Sequence, residues 1–297
     1  MLAIVLALAS AITYGGSDFA AGLASRSVSV VQVSLLASAV SAVIVAAALP
    51  FAASPLPTTA ALAWGAVAGL GGTLGALALY LGFRHAAFSV AAPISAVGTA
   101  GFSVLAGLLL GERPSALALA GIVLALPAIV GVSASAASAD SGTAPADSVT
   151  APVSGSGRQI TGVAYGLVAG AFFALLFIGL DRAGSGSGLW PVAATQAGEM
   201  VVALAAAVVT GNLALPANQP RRLAAVTGLA GAAGTILFFF ATHEGYLAVT
   251  AVLGSLYPAV TIVLARVMLG ERLTVLRAAG LVMAGACVGL IALGGAG

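Results

Sequence analysis

The sequence predicts an all-α integral membrane protein, with ten transmembrane helices arranged as two inverted repeats of five. Charged residues make up only 6% of the 297 residues and hydrophobic residues 61%, whereas soluble domains carry roughly a quarter charged residues. The mean hydropathy is +1.17. Apolar runs of about 20 residues, the length that crosses a bilayer as a helix, recur along the chain. A charged four-residue motif, Leu-Gly-Glu-Arg, occurs twice.

Charged, proline-containing and Gly/Ser-rich breaks divide the chain into ten apolar segments, which do not alternate as the strands of a membrane barrel do. We expect helices over 2–24, 29–51, 60–82, 87–110, 115–134, 160–181, 189–210, 222–242, 246–269 and 274–294. No Lys or Arg precedes the first segment, so we interpret it as a span and not as a signal peptide.

A stretch rich in Ser, Ala, Gly, Thr and Pro separates the fifth segment from the sixth. This composition is typical of a flexible linker. The predicted organisation is a first five-helix repeat at 1–134, the linker at 135–158 and a second five-helix repeat at 159–297.

The two Leu-Gly-Glu-Arg motifs, at 110–113 and 269–272, are 159 residues apart, and Ala-Gly pairs at 120–121 and 279–280 keep the same offset. Each motif stands between the fourth and fifth segments of its half, which indicates a duplicated five-helix unit. Because five is an odd number, the second unit enters the membrane from the opposite side. The two repeats are therefore expected to be inverted.

The motif itself has a local structural interpretation, which we favour. Gly111 and Gly270 suit the left-handed residue that ends a helix, Pro114 suits the first turn of the next helix, and Thr274 can cap. Glu112 and its neighbouring arginine would then face water. Contact with a bound ligand is the alternative.

Glycines spaced four residues apart predict close approach between helices, because lipid provides no hydrophobic drive for helices to associate. Gly65 with Gly69, and Gly285 with Gly289, are two such pairs.

Ten segments in two halves, each with a Leu-Gly-Glu-Arg turn before its last helix, resemble the EamA-type permeases of the drug/metabolite transporter superfamily. The resemblance covers nearly the whole chain outside the linker. It implies a multi-pass protein of the cytoplasmic membrane that moves a small metabolite, amino-acid-like or otherwise polar or amphipathic, by alternating access through a central cavity, with export as the expected direction. The first helix reads Tyr14-Gly15 where the family often reads Trp-Gly, which leaves the substrate class open.

Ionisable side chains within the apolar segments are candidates for function, because they are costly in hydrocarbon unless they face partners or a wet cavity. Glu199 lies near the middle of the seventh segment, and Thr195 and Gln196 extend the same polar stripe. It could couple protons or bind a substrate amine, and a structural hydrogen bond between helices is the alternative. Asp18 follows Tyr14 by four residues on the first helix, and we expect a cation or proton site there or, alternatively, a position near the membrane surface.

Other candidates would line the cavity. Pro258 in the ninth segment would free a carbonyl and kink the helix, and Tyr257 beside it offers a ring and a hydroxyl. Ser95 and Thr99 would present hydroxyls from the matching fourth segment. Phe173 in the sixth segment lines the cavity or faces lipid.

No cofactor or metal site is expected, because one cysteine and two histidines cannot supply a His-rich site or an intrachain disulfide. The arginines are dispersed, which argues against nucleic acid as a partner. The expected partners are a small-molecule solute and the lipid bilayer, and a homo-oligomer is left open. The alternative class is an integral membrane enzyme acting on a lipid, which would need clustered carboxylates where this chain has scattered ones, so we expect no enzyme.

The orientation in the membrane is left open by two conflicting indications. The resemblance implies cytoplasmic termini, which would place only Arg113 and Arg182, of the ten arginines, in inner loops. The positive-inside rule favours the opposite orientation.

Overall fold

A computed structural model describes residues 1–51, 56–85, 88–134, 155–270 and 274–295, without the side chains of 80–93, 132–134 and 155–159. Most of the predicted linker and the Glu-Arg pair of the second motif lie outside these residues. The α-helices are α1 (Leu2–Ala24), α2 (Val30–Ala48), α3 (Thr59–His85), α4 (Phe88–Leu109), α5 (Ala116–Ala134), α6 (Gly155–Arg182), α7 (Trp190–Thr210), α8 (Asn218–His243), α9 (Leu247–Gly254), α10 (Tyr257–Leu269) and α11 (Val275–Gly294). Short 3₁₀ turns cover Leu49–Phe51 and Ser185–Ser187, and no strand occurs in the described ranges.

Each predicted apolar segment coincides with helix, but the ninth is not one continuous helix. It is divided into α9 and α10 at Ser255 and Leu256. The sequence predicted a kink at Pro258, and the helix breaks slightly earlier. Pro258 then lies in the first turn of α10, where a missing N–H costs no helical hydrogen bond.

Eight segments of the described chain are long and apolar enough to cross a membrane, with α9 and α10 counted together as Leu247–Leu269. Two further apolar helices, Ile94–Leu109 and Ala116–Gly131, are shorter. The fold is thus all-helical and suited to a bilayer.

Several helix ends follow the sequence. Gly111 and Gly270 are left-handed, with φ of 97° and 68°, and the Thr274 hydroxyl caps α11 by accepting from the N–H of Arg277. These three assignments are confirmed. Pro114 is not in a helix, because α5 begins only at Ala116. The Ser115 hydroxyl caps α5 by accepting a hydrogen bond from the N–H of Ala118.

Hydrogen bonds between helices define their directions. Ser10 and Ser17 of α1 donate to the carbonyls of Gly234 and Thr227 of α8, so these helices are antiparallel. In α3 and α7, Thr195 donates to Gly65 O and Thr73 donates to Glu199 O, so these run parallel.

The bundle therefore has two ends, which we name by one residue each. The Glu112 end contains the start of α1, the turns at 110–115, 183–189 and 244–246, and the end of α11. The Arg26 end contains the turns at 25–29 and 211–217, together with Gly270 and Thr274.

Helix contacts divide the molecule into two bundles, and each bundle contains helices from both halves of the sequence. With α9 and α10 taken together as the ninth segment, the first bundle is α1, α2, α8 and α9–α10, and the second is α3, α4, α6 and α7; the bundles also contact each other through α2 with α7 and α9 with α4. Helices α5 and α11 pack mainly on each other. The sequence repeats are consequently not two separate bodies in space.

Glycines allow backbone contact within the second bundle. A Cβ on Gly69 would collide with the carbonyl oxygen of Thr195, and one on Gly65 with that of Pro191. The predicted close packing is confirmed for this pair. It is wrong for Gly285 and its partner at 289, because a Cβ there would meet nothing within 4 Å.

We expect the Gly69→Ala substitution to lower the free energy of unfolding by about 1–3 kcal/mol, the usual cost of overpacking. The colliding atoms are backbone, so side-chain rotation cannot relieve the clash. Gly285→Ala is the matched control, with an expected change within about 0.5 kcal/mol. Thermal unfolding of the purified protein in detergent measures both, and equal effects of the two substitutions would contradict the packing account.

Candidate functional site

Asp18 lies on an interior face of α1 and is nevertheless accessible. At about 100° per residue, Asp18 is roughly 120° around the helix from Ile12 and 140° from Val5, whose apolar side chains are exposed on the outside. Ser17, beside it, donates to Thr227 of α8. Asp18 is thus exposed although its neighbour Ser17 is packed against α8, and the cavity interpretation of Asp18 stays a prediction.

Glu199 is directed into the bundle from the opposite side. It lies roughly 160° around α7 from Val201, which is 64% exposed. One carboxylate oxygen is 3.0 Å from the position that a Cβ would occupy on Gly72 of α3. The absence of a side chain at Gly72 therefore provides the space for this carboxyl group.

Tyr14 lies within electrostatic reach of the two carboxyl groups. Its hydroxyl is 3.0 Å from the Thr235 hydroxyl of α8. Since Thr235 already donates its one proton to Gly231 O at 3.0 Å, Tyr14 is the donor to Thr235. The negative charges of Glu199 and Asp18 both act on the Tyr14 phenol, so these three residues, from helices of the two bundles, are within electrostatic reach of one another.

The other residues of the predicted polar stripe are buried beside Glu199. Thr195 bonds the carbonyls of Gly65 and Pro191, so its hydroxyl serves helix packing. Gln196 is 1% exposed, and its side-chain oxygen has no partner within the described part of the chain. This oxygen can accept a hydrogen bond from water or from a ligand.

The remaining predicted residues make contacts between helices. Thr99 donates to the carbonyl of Ser95, and both side chains are buried in this conformation, where α4 packs on α6 against Gly170. Tyr257 begins α10, and its carbonyl lies against Gly15 of α1. The Phe173 ring lies over Gly75 of α3.

Aromatic rings close the molecule toward the Glu112 end. Phe177 of α6 and Phe238 of α8 stack, with ring centroids 3.9 Å apart and an interplanar angle of 20°. Both belong to a buried cluster with Leu180, Leu247 and Ala251. Asp18 is exposed on the Arg26 side of this cluster.

Glu112 is a residue whose environment the sequence did not predict. Its carboxylate accepts hydrogen bonds from the backbone N–H groups of Leu247 and Ala248, at 2.5 Å and 2.8 Å. Glu112 is half-buried, so water still reaches it, and Arg113 is exposed as expected; what the sequence did not predict is that two backbone amides occupy the Glu112 carboxylate. The repeated motif was the signal, but a local pattern does not identify a partner 135 residues away.

Clusters of three or more metal-binding side chains are not found in the ranges that the structure covers. The site consists of two carboxyl groups, a phenol and an amide, held between two helix bundles. This arrangement suits the binding of a small polar molecule or a proton.

The helices and this polar interior define a multi-pass membrane protein. The sequence model of the EamA-like transporter family matches residues 1–134 and 160–293. The chain belongs to this family.

A solved crystal structure shares the fold, with a TM-score of 0.75 over 98% of this chain and 97% of that one, at 15% sequence identity. The likeness concerns the fold alone. No curated protein matches the chain.

We expect Tyr14→Phe to lower the free energy of unfolding by about 0.6–1 kcal/mol, because it removes the hydrogen bond to Thr235. Thr235→Val should cost at least as much, since it also removes the bond to Gly231 O. A double-mutant cycle measured by unfolding in detergent isolates the Tyr14–Thr235 pair. Strictly additive losses would mean that the two hydroxyls do not interact.

Proposed function

We propose that the protein is a secondary transporter that carries a small metabolite, amino-acid-like or otherwise polar or amphipathic, across the cytoplasmic membrane by alternating access. The observation that carries the proposal is that Asp18 and Glu199, on helices of different bundles, both act electrostatically on the Tyr14 phenol. Membership in the EamA-like transporter family supports transport. Export is the direction that we adopt from the family resemblance.

Ten membrane crossings in two inverted repeats are part of this proposal. The family model matches the chain in two segments. Equivalent helices of the halves contact each other and run antiparallel: Gly131 of α5 packs on Gly280 of α11, while Gly121 packs on Cys287. Likewise, Gln32 at the start of α2 bonds Ala214 just beyond α7.

Alternating access would follow from a relative tilt of the two bundles. Each helix can be replaced by its equivalent in the other half of the sequence. The α1–α8 contact then becomes the α6–α3 contact, and the α2–α8 contact becomes the α7–α3 contact. The two bundles are thus equivalent in connectivity, so opposite tilts of similar free energy are accessible to them. A bound solute would promote exchange by interacting with both bundles.

An amine is the substrate group that the site favours. Two carboxyl groups and a phenol oxygen attract a cation and repel an anion, and low-polarity surroundings strengthen both effects. Gln196 and Tyr14 add neutral hydrogen-bonding groups that suit a polar or zwitterionic molecule. The same carboxyl groups are the candidates for proton coupling.

Ligands with one skeleton and different charge test the amine preference. We expect tyramine and tyrosine to raise the unfolding temperature of the detergent-solubilised protein, and 4-hydroxyphenylacetate to leave it unchanged, because only ligands that bind the folded state stabilise it. The aromatic ring is common to all three probes. Stabilisation by the anion alone would contradict the amine assignment.

Substitutions of the carboxyl groups test the transport mechanism. We expect Glu199→Gln to abolish most transport in proteoliposomes, and Asp18→Asn to reduce it, using a solute identified by comparing metabolites of cells with and without the protein. Glu244→Gln, at an exposed acid in the turn before α9, is the matched control. Exchange that persists while uphill accumulation is lost would assign Glu199 to proton coupling, and full transport would remove it from the mechanism.

A further inference from the structure

The Glu112 carboxylate joins the two bundles at one end of the molecule. Glu112 follows α4 of the second bundle, and it binds the first two amides of α9, which is continuous with the first bundle through α10 and packs on both α1 and α4. Amides in the first turn of a helix have no acceptor within that helix. A carboxylate satisfies them and also complements the positive end of the helix dipole.

A second contact between the bundles lies deeper at the same end. Phe177 belongs to α6 of the second bundle and Phe238 to α8 of the first, and their rings stack. Ala251, one turn beyond the amides that Glu112 binds, is buried in the same cluster. The position of α9 therefore links the carboxylate to the aromatic stack.

We propose that Glu112 is the latch of a gate that closes the Glu112 end, with Phe177 and Phe238 as the barrier behind it. The latch holds α9 against the second bundle and so keeps the aromatic rings together. Its role in transport rests on the proposed function, whereas the coupling between latch and barrier does not.

The chemistry of the latch permits it to open and close. Glu112 is only half-buried and lies at the end of the bundle, so water can replace both partners when the bond breaks. Breaking a buried hydrogen bond usually costs free energy because it leaves a polar group unsatisfied. Here no polar group is left unsatisfied, so this cost is avoided. The negative charge of Asp181 of α6 repels that of Glu112, and Arg182 attracts Asp181. The Glu112 carboxylate therefore keeps its hydrogen bonds to α9 in spite of a repulsive neighbour.

Gly107 provides the room that the latched carboxylate needs. A Cβ on Gly107 would collide with the Glu112 carboxylate oxygen that accepts from Ala248, and would lie 3.1 Å from the Ala248 nitrogen. Gly101, on the same helix, would meet nothing within 4 Å. The two glycines therefore form a matched pair for a test that leaves Glu112 in place.

The experiment measures the latch and the barrier separately. Hydrogen exchange at the amides of residues 247–250 reports on the latch. Reaction of a maleimide with an Ala251→Cys variant, in a Cys287→Ser background, reports on the barrier, because Ala251 is fully buried in the closed structure. Both are measured on the full-length protein in detergent, with thermal unfolding as the check of folding.

We expect Glu112→Gln to accelerate both reactions about tenfold, since hydrogen bonds to a charged group are roughly twice as strong as neutral ones. Gly107→Ala should act in the same direction. Glu244→Gln and Gly101→Ala should leave both rates unchanged. If Glu112→Gln does not fold, Gly107→Ala serves as the test.

Two results would overturn the proposal. Faster exchange of the α9 amides with unchanged labelling at Ala251→Cys would make Glu112 a static helix cap. Unchanged rates in both measurements would remove it as a latch altogether. Accelerated labelling in a protein that moves no solute would leave the gate in place and contradict the transport function instead.

Discussion

Backbone contact between the two sequence halves is the constraint on which this structure depends. The most extensive helix contacts, α3 with α6, α1 with α8 and α5 with α11, all join one half to the other. Lipid does not push apolar helices together, so their association requires close packing. Gly69, Gly71 and Gly228 provide it by admitting a carbonyl oxygen of the neighbouring helix where a side chain would stand.

The same interlocking determines the chemistry of the site. The 159-residue offset places Phe173 and Phe177 of α6 at the positions that Tyr14 and Asp18 occupy in α1. Helix α1 carries a phenol and an exposed carboxyl at these positions, whereas α6 carries two rings, of which Phe177 lies in the closed cluster. Helices α1 and α6 therefore differ chemically at these equivalent sequence positions, which are polar in α1 and aromatic in α6.

The sequence predicted those features that depend on local pattern. Apolar runs located the helices, and the motif glycines located the left-handed residues Gly111 and Gly270. Glu199 and Asp18 were identifiable because carboxyl groups are costly in hydrocarbon. Contacts between distant segments could not be predicted from the sequence. Gly285 and Gly69 both belong to pairs of glycines spaced four residues apart, but only Gly69 faces another backbone. For the same reason, the partner of Glu112 and the composition of each bundle emerged only from the folded chain.

The α5–α11 pair has a consequence for how the protein is made. Gly121 of α5 packs on Cys287 and Ile291 of α11, so α5 reaches its partner only after every intervening helix has been synthesised. Until then, the small residues along one side of α5 are covered by lipid or by the insertion machinery. Assembly in the membrane is accordingly a late, whole-chain event, in which the final helix completes a contact surface that the first half has presented throughout translation.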